Sequence, residues 1–155
     1  MSESWRTRLE RVVFNLYPAY LGTGGRVTHI EADWSEVRVR LPLSWRTRNV
    51  VGTIFGGSLY SAVDPFYMMM LMRRLDDSYV VWDKAASIRF HKPAEETLYA
   101  TFELPDAEVS AVEDELADRD SVDREYEVEL VDDEGVVHAV VEKTVHVSTD
   151  ETKRA

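Results

Sequence analysis

The chain has 155 residues, 45% of them apolar and 10% aromatic, enough to bury about two-thirds of its unfolded surface within one domain and too many for a disordered chain. Its 29 acids against 18 bases give a net charge of −11, which argues against nucleic acid or an anionic membrane as a general partner. With no cysteine, disulfides, thiolate zinc sites and thiol nucleophiles are excluded, and any chemistry falls to oxygen and nitrogen groups.

Residues 1–11 are polar, carry Arg6, Arg8 and Arg11, and lack the apolar centre of a signal peptide, so the chain reads as cytoplasmic. Trp5, Leu9, Val12, Val13 and Leu16 fall at helical spacing, with Ser4 as a cap and Pro18 as a stop, and predict an amphipathic first helix. After the break at Gly22, Gly24 and Gly25, residues 26–34 and 36–43 predict paired strands, the second alternating Val37, Val39, Leu41 and Leu43 against Arg38 and Arg40.

A polar loop over 44–48 leads into Asn49-Val50-Val51-Gly52-Thr53-Ile54-Phe55-Gly56-Gly57 and then an apolar helix reaching about residue 75. Its longest apolar run, 58–72, is shorter than the roughly 18–20 residues that span a bilayer, so a buried helix is expected. Within that run Asp64 is the one formally charged residue, and burying a lone carboxylate costs several kcal/mol unless its surroundings compensate or its proton stays on. Pro65 follows it and removes the amide that would bond the Ser61 carbonyl, so a kink or an opened turn is expected beside the acid.

Beyond the helix, strands are predicted over 79–91, 97–104, 124–131 and 136–147, with a short helix over 108–117. Tyr126, Val128 and Leu130 alternate against Glu125, Glu127 and Glu129, and Asp133-Glu134-Gly135 turns the chain into the last strand. Residues 148–155 read as a frayed tail on a single domain covering 1–155. Three helical stretches and six strands without βαβ alternation predict an antiparallel α+β fold, one long helix wrapped by one curved sheet. The acid-rich stretch 103–134 reads as a solvated face, or as adaptation of an acidic protein to high salt.

The pattern Asn49, Gly52-Thr53, Gly56-Gly57 and then Asp64 resembles the hotdog-fold thioesterases, in particular the PaaI-like branch and a nearby uncharacterised subfamily. The resemblance covers almost the whole chain and implies a hotdog fold, acyl-CoA thioester hydrolysis, and Asp64 as the catalytic acid. It also implies that the segment Ser87-Ile88-Arg89-Phe90-His91-Lys92-Pro93 belongs to a long strand that pairs across a homodimer, alone or within a dimer of dimers. Two positions depart from the family: Phe55 stands where a histidine often precedes the glycine pair, and Met68 where many relatives carry a threonine or serine.

Within that resemblance, thioester hydrolysis needs a place for the developing oxyanion and a group that delivers or replaces water. The first amides of a helix lack intrahelical partners, and glycine permits close approach, so the Gly57 amide could polarise the thioester oxygen, an effect of about 3–4 kcal/mol in other oxyanion holes. In one continuous helix Asp64 would lie about 10 Å further along, beyond the roughly 3 Å a base needs, which predicts a site shared between Gly57 of one subunit and Asp64 of a two-fold partner. Asp64 would act as nucleophile or as general base, and Asn49 would hold the loop or the water.

Gly56, Phe55 and Met68 are the other candidate substrate contacts, the methionine run 68–70 and 72 serving as acyl lining or as plain core. Arg46, Arg48, Arg89 and Lys92 are the candidates for coenzyme A phosphates on an otherwise acidic surface. No cofactor is expected beyond the coenzyme A thioester substrate. His29, His91, His138 and His146 show no metal-ligand spacing, and no nucleophile elbow, phosphate loop or dinucleotide fingerprint occurs. The competing expectation is a module that binds an acyl or coenzyme A ligand without turning it over.

Overall fold

The protein, described here by a computed structural model over residues 2–149, orders its elements as α1 (Trp5–Leu16), α2 (Pro18–Leu21), β1 (Arg26–Ile30), β2 (Glu36–Leu41), α3 (Gly56–Ser61), α4 (Phe66–Arg74), β3 (Tyr79–Phe90), β4 (Leu98–Glu103), α5 (Asp106–Asp118), β5 (Ser121–Val131) and β6 (Val137–Thr149). The six strands form one antiparallel sheet in the order β1-β2-β4-β5-β6-β3, with β3 and β1 at its edges. Period-two patterning turns Val37, Val39 and Leu41 of β2, and Val141, Val145 and Val147 of β6, onto the helices as the core face.

The predicted long helix is present in two pieces. Residues 62–65 form a turn between α3 and α4, as expected where Pro65 cannot donate. The buried Tyr20 hydroxyl donates to the Ala62 carbonyl at 2.8 Å and so satisfies a backbone acceptor at the break. Burial pushes the Tyr20 phenol far above its usual range. Immediately beyond the turn, Phe66 packs its ring against Phe14, Tyr20 and Phe102 at 5.6, 5.5 and 5.0 Å, anchoring α4 to the sheet.

Other boundaries differ from the sequence reading for local reasons. β1 ends at Ile30, not 34, because Trp34 takes a positive φ of 61° in the turn to β2. Pro18 does not simply end the first helix; it starts α2 at its first position. Ser148 and Thr149, read as the start of a frayed tail, pair with Ser121, Val80 and Tyr79 as strand; residues 150–155 lie outside the described residues.

Helix α1 begins at the predicted cap, Ser4, whose side chain accepts from the Thr7 amide. Its predicted apolar stripe, however, faces outward: Trp5, Leu9, Val13 and Leu16 are all more than half exposed, whereas Thr7 is buried and Phe14 packs on the core. The polar side holds the helix down. Asn15 bonds both backbone groups of Val27 at 2.8 Å, Glu3 takes Arg11, and Glu10 accepts from the Trp34 indole at 3.0 Å. Those bonds fix α1 along the β1 edge and leave its apolar stripe free.

A second polar staple fixes the loop after β3. His138 is buried on β6, with Nδ1 3.0 Å from the Pro93 carbonyl and Nε2 2.9 Å from Asp132 Oδ2. The ring thus ties the Pro93 carbonyl to the Asp132 carboxylate. Asp132 Oδ1 in turn accepts the Glu134 and Val136 amides, and the His138 carbonyl accepts the His91 and Lys92 amides. Glu96 brings a third ligand-type group within 4.8 Å of these two, but the Asp132 and His138 atoms are already engaged in holding the turn and the 91–93 loop.

The bond from His138 and those from the turn amides hold the Asp132 carboxyl below its ordinary 3.8. Its contribution to stability is therefore full above that value and is lost as the pH falls through the lower folded one. Asp132→Asn should lower the melting temperature at neutral pH and flatten the acid limb of a melting-temperature profile taken from neutrality to about pH 3.

Candidate active site

Asp64 is not alone. Its Oδ1 accepts the Tyr60 hydroxyl at 2.6 Å and the Lys143 ammonium at 2.6 Å, and the same ammonium lies 3.0 Å from Asp83 Oδ2 and 3.1 Å from the Tyr60 oxygen. Tyr60 precedes Asp64 by four residues, which brings the two side chains together across the opened turn. Lys143 enters from β6, in the inward register of Val141 and Val145, and is 1% exposed; Asp83 comes from the edge strand β3. Helix break, inner strand and edge strand thus meet at one ammonium.

Burial alone would push the Lys143 ammonium down, but its bonds to Asp64, Asp83 and Tyr60 outweigh this, and its pKa is raised above 10.5. Burial holds the Asp83 carboxyl above its ordinary 3.8, only partly offset by the Lys143 hydrogen bond. The Tyr60 phenol is raised by burial and by donating to Asp64. The Asp64 side chain is 43% exposed, and its second oxygen accepts no hydrogen bond among the described residues. One oxygen is fixed and the other is open.

The glycine motif lies apart from this cluster within one chain. Gly56 and Gly57 open α3, and Phe55 at its N-cap folds its ring back so that a Cβ on Gly57 would stand 2.5 Å from Phe55 Cε1. A Cβ on Gly56 would be 3.2 Å from Phe90 Cζ. Two rings, each more than half exposed, therefore flank the paired glycines, and a side chain on Gly57 would displace one of them.

Asn49 holds its own loop: Oδ1 accepts the Val51 and Thr53 amides at 3.0 Å, and Nδ2 donates to Thr53 Oγ1 at 2.8 Å, around Gly52 at a φ of +88°. Asn49, Gly56, Phe90 and Lys92 line a common cavity of about 280 Å³, backed by the Ile54 amide bonded to the Ala94 carbonyl. Asp64 lines a different cavity, of about 270 Å³, with Ser61, Pro65 and Thr23.

The remaining candidates scatter. Arg48 is exposed beside the Asn49 loop, while Arg46 donates from its guanidinium to the Leu21 carbonyl at 2.7 Å. Arg89 points to the outer face of the sheet, 3.0 Å from Glu142. Met68 is half-buried against the core, whereas its neighbour Met69 lines a cleft with α1. The sequence reading missed Lys143, Asp83 and Tyr60. For Lys143 the signal was available, since the inward series Ala139, Val141, Lys143, Val145, Val147 has one charged member.

A family model described as a domain of unknown function (DUF4442) matches residues 6–147. No curated protein matches the chain. Among solved structures, PA5026 of Pseudomonas aeruginosa, described as a protein of unknown function and probable thioesterase, is similar at 22% identity and a TM-score of 0.82, over 97% of this chain and 100% of that one. The Haemophilus influenzae thioesterase HI1161 is similar at 12% identity and a TM-score of 0.68, over 96% and 94% of the two chains. OLEI01261 of Chlorobaculum tepidum, of unknown function, shares 15% identity at a TM-score of 0.73, over 93% and 94%. These likenesses establish the hotdog fold.

Replacing Lys143 by methionine leaves Asp64 and Asp83 facing each other across an apolar stub. Lys143→Met should cost about 3–5 kcal/mol at neutral pH in urea unfolding, and adding Asp83→Asn should recover part of it. Because the ammonium is raised, its contribution is present below 10.5 and lost as the pH climbs through the folded value, an alkaline loss that the methionine variant should not show.

Proposed function

The chain belongs to the DUF4442 family, and from its hotdog fold and its Tyr60–Asp64–Lys143–Asp83 cluster we propose that it hydrolyses an acyl-CoA thioester. The observation that carries this reading is the Asp64 carboxylate, half exposed at a broken helix, with one oxygen held by two donors and the other free. A group so oriented is preorganised to take a proton from water or to attack a carbonyl. Tyr60 and Lys143 position it. The thioesterases among the structural neighbours add to this reading as analogy.

In the water route, Asp64 removes a proton as the water oxygen bonds to the thioester carbon, and as the tetrahedral intermediate collapses and the C–S bond breaks, Asp64 returns that proton to the leaving sulfur, releasing the coenzyme A thiol. In the covalent route, the Asp64 carboxylate bonds to that carbon as the C–S bond breaks and coenzyme A leaves as its thiolate; water then opens the anhydride, restoring Asp64 and supplying the proton that the thiolate takes up. Either way the negative oxygen needs a donor, and the Gly57 amide at the start of α3 is the candidate. Since the Asn49–Gly56 cavity and the Asp64 cavity are separate in one chain, the reading places Gly57 of one protomer against Asp64 of a two-fold partner.

Lys92, lining the Asn49–Gly56 cavity, and Arg48 beside it are the better-placed cations for coenzyme A phosphates; Arg46 and Arg89 are engaged elsewhere. The second reading, ligand binding without turnover, is favoured by the Phe55 ring that covers Gly57.

Thiol release from a panel of acyl-CoA esters should separate the two. Asp64→Asn should lower kcat by about a hundredfold or more with little change in KM. Binding without thiol release by the wild-type protein would leave the non-catalytic reading, and full activity in the variant would remove Asp64 from the chemistry.

A further inference from the structure

Helix α1 runs antiparallel beside α4. Glu10 is ion-paired with Arg73 at 3.2 Å at one end, and Tyr17 shares a cavity with Asp64 and Pro65 at the other. Between the two helices lies an apolar cleft of about 290 Å³, walled by Leu9, Val13, Tyr17 and Met69 over a floor of Phe14. Phe14 and Tyr17 also line the 270 Å³ cavity at Asp64, so the two spaces adjoin. Pro65, which caps α4, and Met69 and Arg73 within it recur every fourth residue, so the cap and one face of α4 line the full run, about 12 Å at 1.5 Å per residue.

The ends differ in chemistry. At one, Thr23, Ser61 and the Asp64 carboxylate present polar groups. At the other, the Arg73 guanidinium sits 5.2 Å over the Trp34 ring and pairs with Glu10, closing the cleft. Resting on the thioesterase reading, we propose that this cleft binds an unbranched, medium-length acyl chain, with its carbonyl end at Asp64 and its methyl end toward Trp34. The outward stripe of α1 then has an occupant: Leu9, Val13 and Tyr17 are each more than half exposed because they wall a binding site rather than the core. An apolar surface from a second copy would match the length of the cleft but not its carboxylate end.

The test uses the wild-type protein and non-hydrolysable S-alkyl coenzyme A thioethers, titrated calorimetrically with ethyl, butyl, octyl and decyl chains. Affinity should rise about two- to fourfold per methylene and then level off as the chain reaches Trp34. Val13→Trp and Met69→Trp, which fill the cleft from its two walls, should each reduce the ratio of decyl to butyl affinity about tenfold or more. Equal affinity for all chains, or an unchanged ratio in both variants, overturns the proposal. So does dissociation of an oligomer by Val13→Glu in sedimentation, which would make the stripe a contact between copies. If S-ethyl coenzyme A binds and longer chains bind no better, this inference alone fails. If no thioether binds, the thioesterase reading fails with it.

Discussion

One buried ammonium joins the parts of this molecule that chemistry would need. Lys143, inside the sheet on β6, reaches Asp64 at the break between α3 and α4 and Asp83 on the edge strand β3. An ion of this kind is tolerated in a protein interior only when its charge and its protons are met, and here two carboxylates and a phenol do so. The opened turn is equally necessary. An unbroken helix would carry Asp64 onward at a fixed pitch, whereas at the opened turn the carboxylate accepts from Lys143 of β6 with its side chain still 43% exposed.

The fold was legible because its determinants are local. Alternation in β2, β5 and β6, the Asp133-Glu134-Gly135 turn, the Ser4 cap and the Pro65 break each rest on a few adjacent residues, and all appear near their expected places. The errors share a cause as well. Helical spacing in α1 identified a stripe but not its direction, which is set by distant partners: Val27 for Asn15 and Arg73 for Glu10. Periodicity says that a face is apolar; it does not say that the face is packed inward.

The candidate site divides the same way. Asp64 stood out as a lone charge in an apolar run, while its partners Lys143 and Asp83 lie 79 and 19 residues away and meet it only through sheet pairing. A single charged residue in the inward series of β6 is the trace that such a pairing leaves in sequence. The basic residues show the converse limit. Arg89 and Lys92 stand three apart, yet one is paired with Glu142 on the outer face and the other lines the cavity beside Gly56.

The edge strand β3 has a further bearing on this chemistry. It spans 12 residues, and its free side carries backbone donors and acceptors with no neighbouring strand among the described residues. Asp83 is part of that strand, so a backbone that docked along the open edge would change how much water surrounds the acid–lysine cluster. The open edge and the buried ammonium are thereby tied to the same dozen residues, with Asp83 belonging to both.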